Sequence, residues 1–168
     1  MISIATLEDL LPLVSLINSA YRGESAKQGW TTESDLIGGL RTDEQHLTEI
    51  MTAPGTTFLK YLDEDNTIIA CIRLQKQADK LYLGMLTVSP TLQAKGIGKQ
   101  LLQAADEHAR RESYRAIFMT VFSVRPELIA WYERHGYRKT GEVIPFQPNE
   151  KFEIVTRDLE FLVLEKVV

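Results

Sequence analysis

Apolar positions change their period several times along the chain, and each change marks an element. Residues 2–5 alternate as a short strand does. Thr6 then stands as a cap before Leu7, Leu10, Leu11, Val14 and Ile17, which recur at helical spacing. Residues 21–32 carry two glycines and Trp30 with no clear period, and read as a loop over a site. Ser34 is placed to cap a short helix through Leu40, and Thr42-Asp43-Glu44-Gln45 has the form of a capping box opening another, which Pro54-Gly55 ends. From position 57 the period becomes that of strands, with residues 57–62 and 67–74 forming a hairpin about the polar turn 63–66.

A turn at 77–80 leads into residues 81–88, apolar on both faces, as a central strand covered by helices on each side must be. The helix that follows predicts Ile97, Leu101, Ala104, Ala105 and His108 on its buried stripe and Lys99, Gln103 and Glu107 outside. Residues 116–122 are another continuous β-rich run, so strand, helix and strand compose a right-handed βαβ unit. Pro126 suits the first turn of a helix ending at His135, with Gly136 as its left-handed stop. Residues 137–143 and 159–167 complete the strands, separated by Pro145 and Pro148. The order β-α-α-β-β-β-α-β-α-β-β predicts an α+β fold: a mixed, mostly antiparallel sheet in a three-layer arrangement with a parallel βαβ heart. Residues 1–168 read as a single domain without repeats or linkers.

A chain of 168 residues with 44% hydrophobic residues can bury one sizeable core. A net charge of -4 argues against a nucleic-acid partner. Cys71 is the only cysteine, so an internal disulfide and a CxxC metal site are excluded; it reads as an inert buried thiol in a reducing compartment. Residues 1–5 lack the basic flank and apolar core of a secretory signal, and no window approaches the roughly 18 apolar residues of a membrane span. The expectation is a cytoplasmic protein. His46, His108 and His135 are scattered without metal-ligand spacing, so no metal is expected and they read as helix-surface or partly buried side chains.

The run 86–102 carries the most chemistry: strand, short glycine loop, helix. Glycines without Cβ let successive N–H groups converge, and the opening helical turn adds unpaired donors and the positive dipole end, which makes an anion cradle. A Walker-type loop would need glycine at Gln93 and Ser or Thr at Gln100, and a dinucleotide fingerprint would need glycine at Leu101. What remains is Gln93-x-x-Gly96-x-Gly98 after an apolar strand ending in Val88. Those six residues alone also suit a plain tight turn. Residues 93–115 hold five basic side chains (Lys95, Lys99, Arg110, Arg111, Arg115) against three acidic ones (Asp106, Glu107, Glu112), which suits an anionic ligand.

Gln93-x-x-Gly96-x-Gly98 resembles the acyl-CoA-binding motif of the GNAT superfamily of N-acyltransferases, and the predicted element order is similar to that family's over the whole chain. The resemblance implies an acyl-CoA held where strands 81–88 and 116–122 splay apart. It places the Leu86 N–H at the thioester oxygen, Val88 on pantetheine, and Gln93, Ala94, Lys95, Gly96, Ile97, Gly98 and Lys99 around the pyrophosphate. A second match, Tyr132-Glu133-x-x-Gly136-Tyr137, looks like the family's helix ending and puts Tyr132 in the role of the acid that protonates the departing thiolate. Where many members have asparagine seven residues earlier, Arg125 stands, and where members often have a glutamate base, Tyr82 stands.

Glu24 and Glu33 are the substitutes considered for that base, and Tyr21, Trp30, Glu33, Arg41 and Tyr82 are candidate acceptor-site residues, Arg41 as a carboxylate fork. The implied activity is an acetyl-CoA-dependent N-acetyltransferase acting by direct attack of a small molecule's primary amine in a ternary complex. Acetylation of a peptide or protein amine and a noncatalytic acyl-CoA sensor are the alternatives. A homodimer is left open, and neither a membrane nor a nucleic acid is expected as partner.

Overall fold

The computed structural model describes residues 1–21, 37–93, 95–149, 153–155 and 158–168. Strand β1 (Ile2–Ile4) passes through a 3₁₀ turn at Leu7–Asp9 into helix α1 (Leu10–Tyr21). There follow β2 (Ile37–Gly39), α2 (Glu44–Thr52), β3 (Thr56–Leu62), β4 (Ile68–Gln77), β5 (Lys80–Val88), α3 (Ile97–Arg111), β6 (Ala116–Phe122), α4 (Pro126–Arg134), β7 (Arg138–Pro145), β8 (Glu153–Val155) and β9 (Glu160–Val167). Seven strands form one sheet in the order β1-β3-β4-β5-β6-β9-β7, antiparallel throughout except for the parallel pair β5 and β6, and β2 pairs with β8 in a separate ribbon. The mixed, mostly antiparallel sheet around a βαβ heart is therefore as the sequence predicts.

The sheet carries a core on each face. On one side Leu13, Leu16 and Ile17 of α1 and Leu47 of α2 meet Phe58, Cys71 and Met85 of the central strands. On the other, Ile97, Leu101, Leu102, Ala105 and Ala109 of α3, with Ile129 and Tyr132 of α4, cover Ala70, Ile72, Leu74, Leu81 and Leu83. Strand parity breaks inside β5. Leu81 and Leu83 face the α3 side, and so do Leu86 and Val88, an odd-to-even switch that needs an extra residue. It comes from a bulge: Arg73 pairs with Gly84 and Cys71 with Thr87, so Met85 and Leu86 together oppose Ile72, with Met85 at φ 50°. The Thr87 hydroxyl donates to the Met85 carbonyl at 2.8 Å and pins the turned peptide.

Four expectations need correction. The helix expected over 34–40 is replaced, in its described part, by strand β2, whose Ile37, Gly38 and Gly39 pair with Val155, Ile154 and Glu153. Two adjacent glycines are poor helix formers, and Gly39 at φ 83° is outside helical space. The cap of α2 is Asp43, whose Oδ1 accepts the His46 N–H at 2.7 Å, while Thr42 is fully buried beside it. The buried stripe of α3 runs through Leu102 and Ala109, leaving Ala104 and His108 half-buried. Between Pro148 and the last strand the chain adds β8, because β2 supplies a distant partner that local periodicity does not reveal.

Candidate active site

The site begins where β5 and β6 part. They pair at Lys80 with Ala116, Leu81 with Ile117 and Tyr82 with Phe118, and their pairing ends there. Beyond it, β5 stays zipped to β4 on its other edge. The Ser89 N–H donates to the Ile69 carbonyl at 2.8 Å, and alternation along an antiparallel ladder turns the main-chain groups of Val88, opposite Ala70, toward β6. The Val88 carbonyl takes the Gln93 side-chain amide at 3.0 Å, which ties the strand end to the loop. Leu86 lies outside the regular ladder because of the bulge, and its carbonyl accepts the Tyr21 hydroxyl.

Gly96 caps α3 in the left-handed region at φ 80°, and a Cβ added to it would meet nothing within 4 Å. The first intrahelical bond of α3 runs from Gln100 N–H to the Gly96 carbonyl at 3.1 Å, so the N–H groups of Ile97, Gly98 and Lys99 point off the helix end. At Gly98 a Cβ would stand 3.4 Å from the Trp131 ring, so the α4 indole walls this turn. Val88, Gln93, Gly96, Ile97, Gly98, Lys99 and Trp131 line one cleft of about 100 Å³. Convergent donors, a positive helix end and open space beside a left-handed glycine fit the diphosphate of a coenzyme A thioester. Ala94 lies outside the described residues, as do Glu24, Trp30 and Glu33.

A wider cavity of about 420 Å³ opens on the other side, and it shares Tyr21, Leu86, Leu128 and Tyr132 with the cleft. Tyr132 is buried at 7% exposure, packed edge-on to Trp131 and Tyr137 at 5.0 and 5.8 Å between ring centres. Burial pushes its phenol well above the ordinary tyrosine value; Tyr21, Tyr137 and Tyr82 add to this and Arg125 opposes it. The phenol therefore stays protonated across the physiological range. The Tyr132 carbonyl takes the N–H groups of His135 and Tyr137 at 2.9 and 3.2 Å, and Gly136 at φ 98° supplies the expected left-handed stop.

Tyr82 closes the paired part of β5. Its ring lies against Phe118 at 5.4 Å and under the Arg73 guanidinium at 5.4 Å. It fills the space above Gly84, where a Cβ would come within 2.8 Å of its ring. Arg41 reaches the cavity with its guanidinium 5.8 Å from the Tyr21 ring centre. Asn18 of α1 fixes this turn, its Oδ1 accepting the N–H groups of Arg41 and Thr42 at 2.8 and 3.0 Å.

Several cavity residues escape sequence reasoning. His46 lines it, with Nδ1 2.8 Å from the Thr42 hydroxyl, and burial followed by the nearby Arg41 charge lowers its imidazole below the usual value. Asp43 as cap puts residue 46 one turn on, beside Thr42, and that spacing was the available signal. Arg125 also faces this cavity and does not line the coenzyme cleft. Gln147, Asn149 and Glu153 come from the segment around β8, whose pairing with β2 no local pattern announces. Among the described residues no group of three His, Cys, Asp or Glu side chains is placed to hold a metal ion. Among them, too, no helix is long and apolar enough to cross a membrane.

An opened parallel strand pair, a bulged central strand and a glycine-capped helix together define the acyltransferase architecture, and the chain belongs to the acetyltransferase (GNAT) family, whose model matches residues 17–137. Over 90 residues it is 33% identical to the S-(2-succino)cysteine N-acetyltransferase of Bacillus subtilis (strain 168), covering 48% of this chain and 54% of that protein. The chain thus spans about half the length of that curated relative. The fold matches the ribosomal-protein-S18-alanine N-acetyltransferase of Escherichia coli with a TM-score of 0.74 at 14% identity, over 100% of this chain and 93% of the other. It also matches a phosphinothricin acetyltransferase from Sinorhizobium meliloti solved with AcCoA, with a TM-score of 0.73 at 16% identity over 100% and 88% of the two chains.

Proposed function

We propose that the protein is an N-acetyltransferase that moves the acetyl group of acetyl-CoA directly to the primary amine of a small molecule within a ternary complex. The observation that carries this reading is the junction of cleft and cavity at Tyr21, Leu86, Leu128 and Tyr132. One chamber has the donors for a diphosphate, the other is polar and large enough for a compact acceptor, and the two communicate beside a phenol.

Acetyl-CoA supplies an activated acyl carbon and a thiol leaving group with pKa near about 8.5. The N–H groups of Gly96 through Lys99 and the Val88 main chain hold the carrier, and the Leu86 N–H faces the thioester oxygen, where an oxyanion donor is worth about 3 kcal/mol. Tyr132, kept protonated by burial, gives a proton to sulfur as the carbon–sulfur bond breaks, and the proton that nitrogen sheds as the amide forms restores the phenol. An alkylammonium with pKa near about 10 must first lose its proton. His46, which burial keeps neutral, is the base in this cavity, acting directly or through water, with Thr42 orienting its ring.

The test is thiol release from acetyl-CoA across a library of small amines. The reading expects release with at least one class, and Tyr132→Phe, which keeps the packed ring, should lower kcat by about 10²-fold with little change in acetyl-CoA affinity. Tight acetyl-CoA binding with no release from any amine would instead make the chain a sensor. Turnover only with peptide amines would move the acceptor class.

A further inference from the structure

The wider cavity is polar on one side only. Arg41, His46 and Tyr82 enter it from the turn before α2, from α2 and from β5, whereas Phe122, Phe146 and Phe161 enter from β6, from the residue after β7 and from β9. Strand order explains the division. Met85 of β5 belongs to the core that α1 and α2 build with Leu13, Leu16, Ile17 and Leu47, and it lines the cavity at the edge of that core. Across the opening, Phe122 and Phe161 stand opposite each other on β6 and β9, and with Phe146 they form a separate apolar cluster.

The three rings hold one another. Phe122 and Phe161 stack at 4.5 Å between ring centres with 14° between their planes, and Phe146 stands edge-on to both at 5.2 and 5.5 Å. Rings fixed in this way make a wall before any ligand arrives, so little conformational freedom is lost when an apolar group lands on it. Phe122 is buried while Phe146 and Phe161 are half-buried, so these last two carry the surface an acceptor meets. An apolar group gains by displacing water from such a wall, whereas a second ammonium pressed there would lose its hydration without a partner. Arg125, the cavity's buried cation, is already paired with Glu127 at 2.9 Å, so the sorting of amines falls to this wall.

We propose that the acceptor is a primary amine carrying an aromatic or branched aliphatic group, and that Phe146 and Phe161 are the specificity-determining residues that receive that group. The reacting nitrogen lies at the junction beside Tyr132, and the apolar group extends along the cavity toward the β9 side. The inference rests on the transfer reading above and names its acceptor class.

Thiol release from acetyl-CoA tests it with 2-phenylethylamine and 3-methylbutylamine against ethylamine and 1,4-diaminobutane. The wild-type protein should favour the first two by about 10- to 100-fold in kcat/KM, mainly through KM. Phe146→Ala should lower that ratio by about 10-fold, and Phe146→Leu, which keeps the wall apolar, should hold most of it. Equal use of the four amines by the wild-type protein, or preference for ethylamine or the diamine, overturns the proposal without needing any variant to fold. A wild-type preference that F146A leaves intact overturns its assignment to this wall.

Calorimetric titration of N-acetyl-2-phenylethylamine against N-ethylacetamide, with CoA present, separates the two readings. If no amine is acetylated but wild type binds the phenyl compound the more tightly and F146A loses that difference, the transfer reading fails and the apolar wall stands. Acetylation without apolar preference fails the wall and leaves transfer standing. Neither release nor binding overturns both.

Discussion

Gly96 is where backbone conformation, stability and ligand binding can be separated by one substitution. Its φ is 80°, and a Cβ there would meet nothing within 4 Å, so Gly96→Ala introduces no clash and reports the left-handed conformation alone. That conformation costs an L-residue about 1–2 kcal/mol. Stiffening of the unfolded chain offsets part of this, by about 0.4–1 kcal/mol. A net loss of about 1 kcal/mol should lower Tm by about 2–4 °C for a chain of this size.

Acetyl-CoA at a hundredfold excess over its Kd stabilises by about 2.7 kcal/mol. If G96A relieves its strain by turning the first amides of α3 away from one another, that increment shrinks by a similar amount of about 1–2 kcal/mol, a loss of about 5- to 30-fold in affinity. Gly96→Asn, which tolerates the left-handed region, should recover most of the lost stability. Thermal denaturation of the three proteins with and without acetyl-CoA reads all of these quantities. Unchanged Tm and an unchanged acetyl-CoA upshift in G96A, or G96N less stable than G96A, would refute the cradle.

His46→Gln should lower kcat by about 10²-fold at neutral pH. Because burial lowers the imidazole below its usual value, the rate should rise with pH through an acid limb below about 6.5 and stay level above it, and H46Q should abolish that limb; a limb that survives assigns the base elsewhere. Tyr137 is fully buried and its hydroxyl has no hydrogen-bond partner among the described residues, so Tyr137→Phe should keep or raise stability by up to about 1–2 kcal/mol, and a clear drop in Tm would mean that the hydroxyl is satisfied. Burial pushes the Cys71 thiol to about 12, so an aromatic disulfide reagent should find no thiol in the native protein and one after denaturation; rapid native labelling would contradict the packing of β4.

What was legible in the sequence was what short segments decide. Gly96, Pro126 and Gly136 each announce a helix boundary through backbone geometry alone, and the structure puts a cap, a first turn and a left-handed stop at those positions. The strand 81–88 was recognisable as central because both its faces are apolar, and that same property hid the bulge: in a run without alternation, a one-residue change of parity at Met85 leaves no mark. The β2 and β8 pairing was illegible because residues 37–39 find their partners at 153–155.

This division falls along the site itself. The glycine-loop cleft is built largely from one contiguous strand, loop and helix, so it depends on glycine spacing and periodicity and can be read locally. The wider cavity is lined by side chains of α1, α2, β5, the start of α4 and β8, brought together only by the sheet order and the two-stranded ribbon. His46 and Arg125 therefore look like ordinary helix-end residues in the chain and come to line one cavity only in the fold. Of these two, Arg125 is the more telling: the Glu127 carboxylate that pairs with it at 2.9 Å is two residues away in the sequence, while the cavity it lines is assembled only by the sheet order and the two-stranded ribbon.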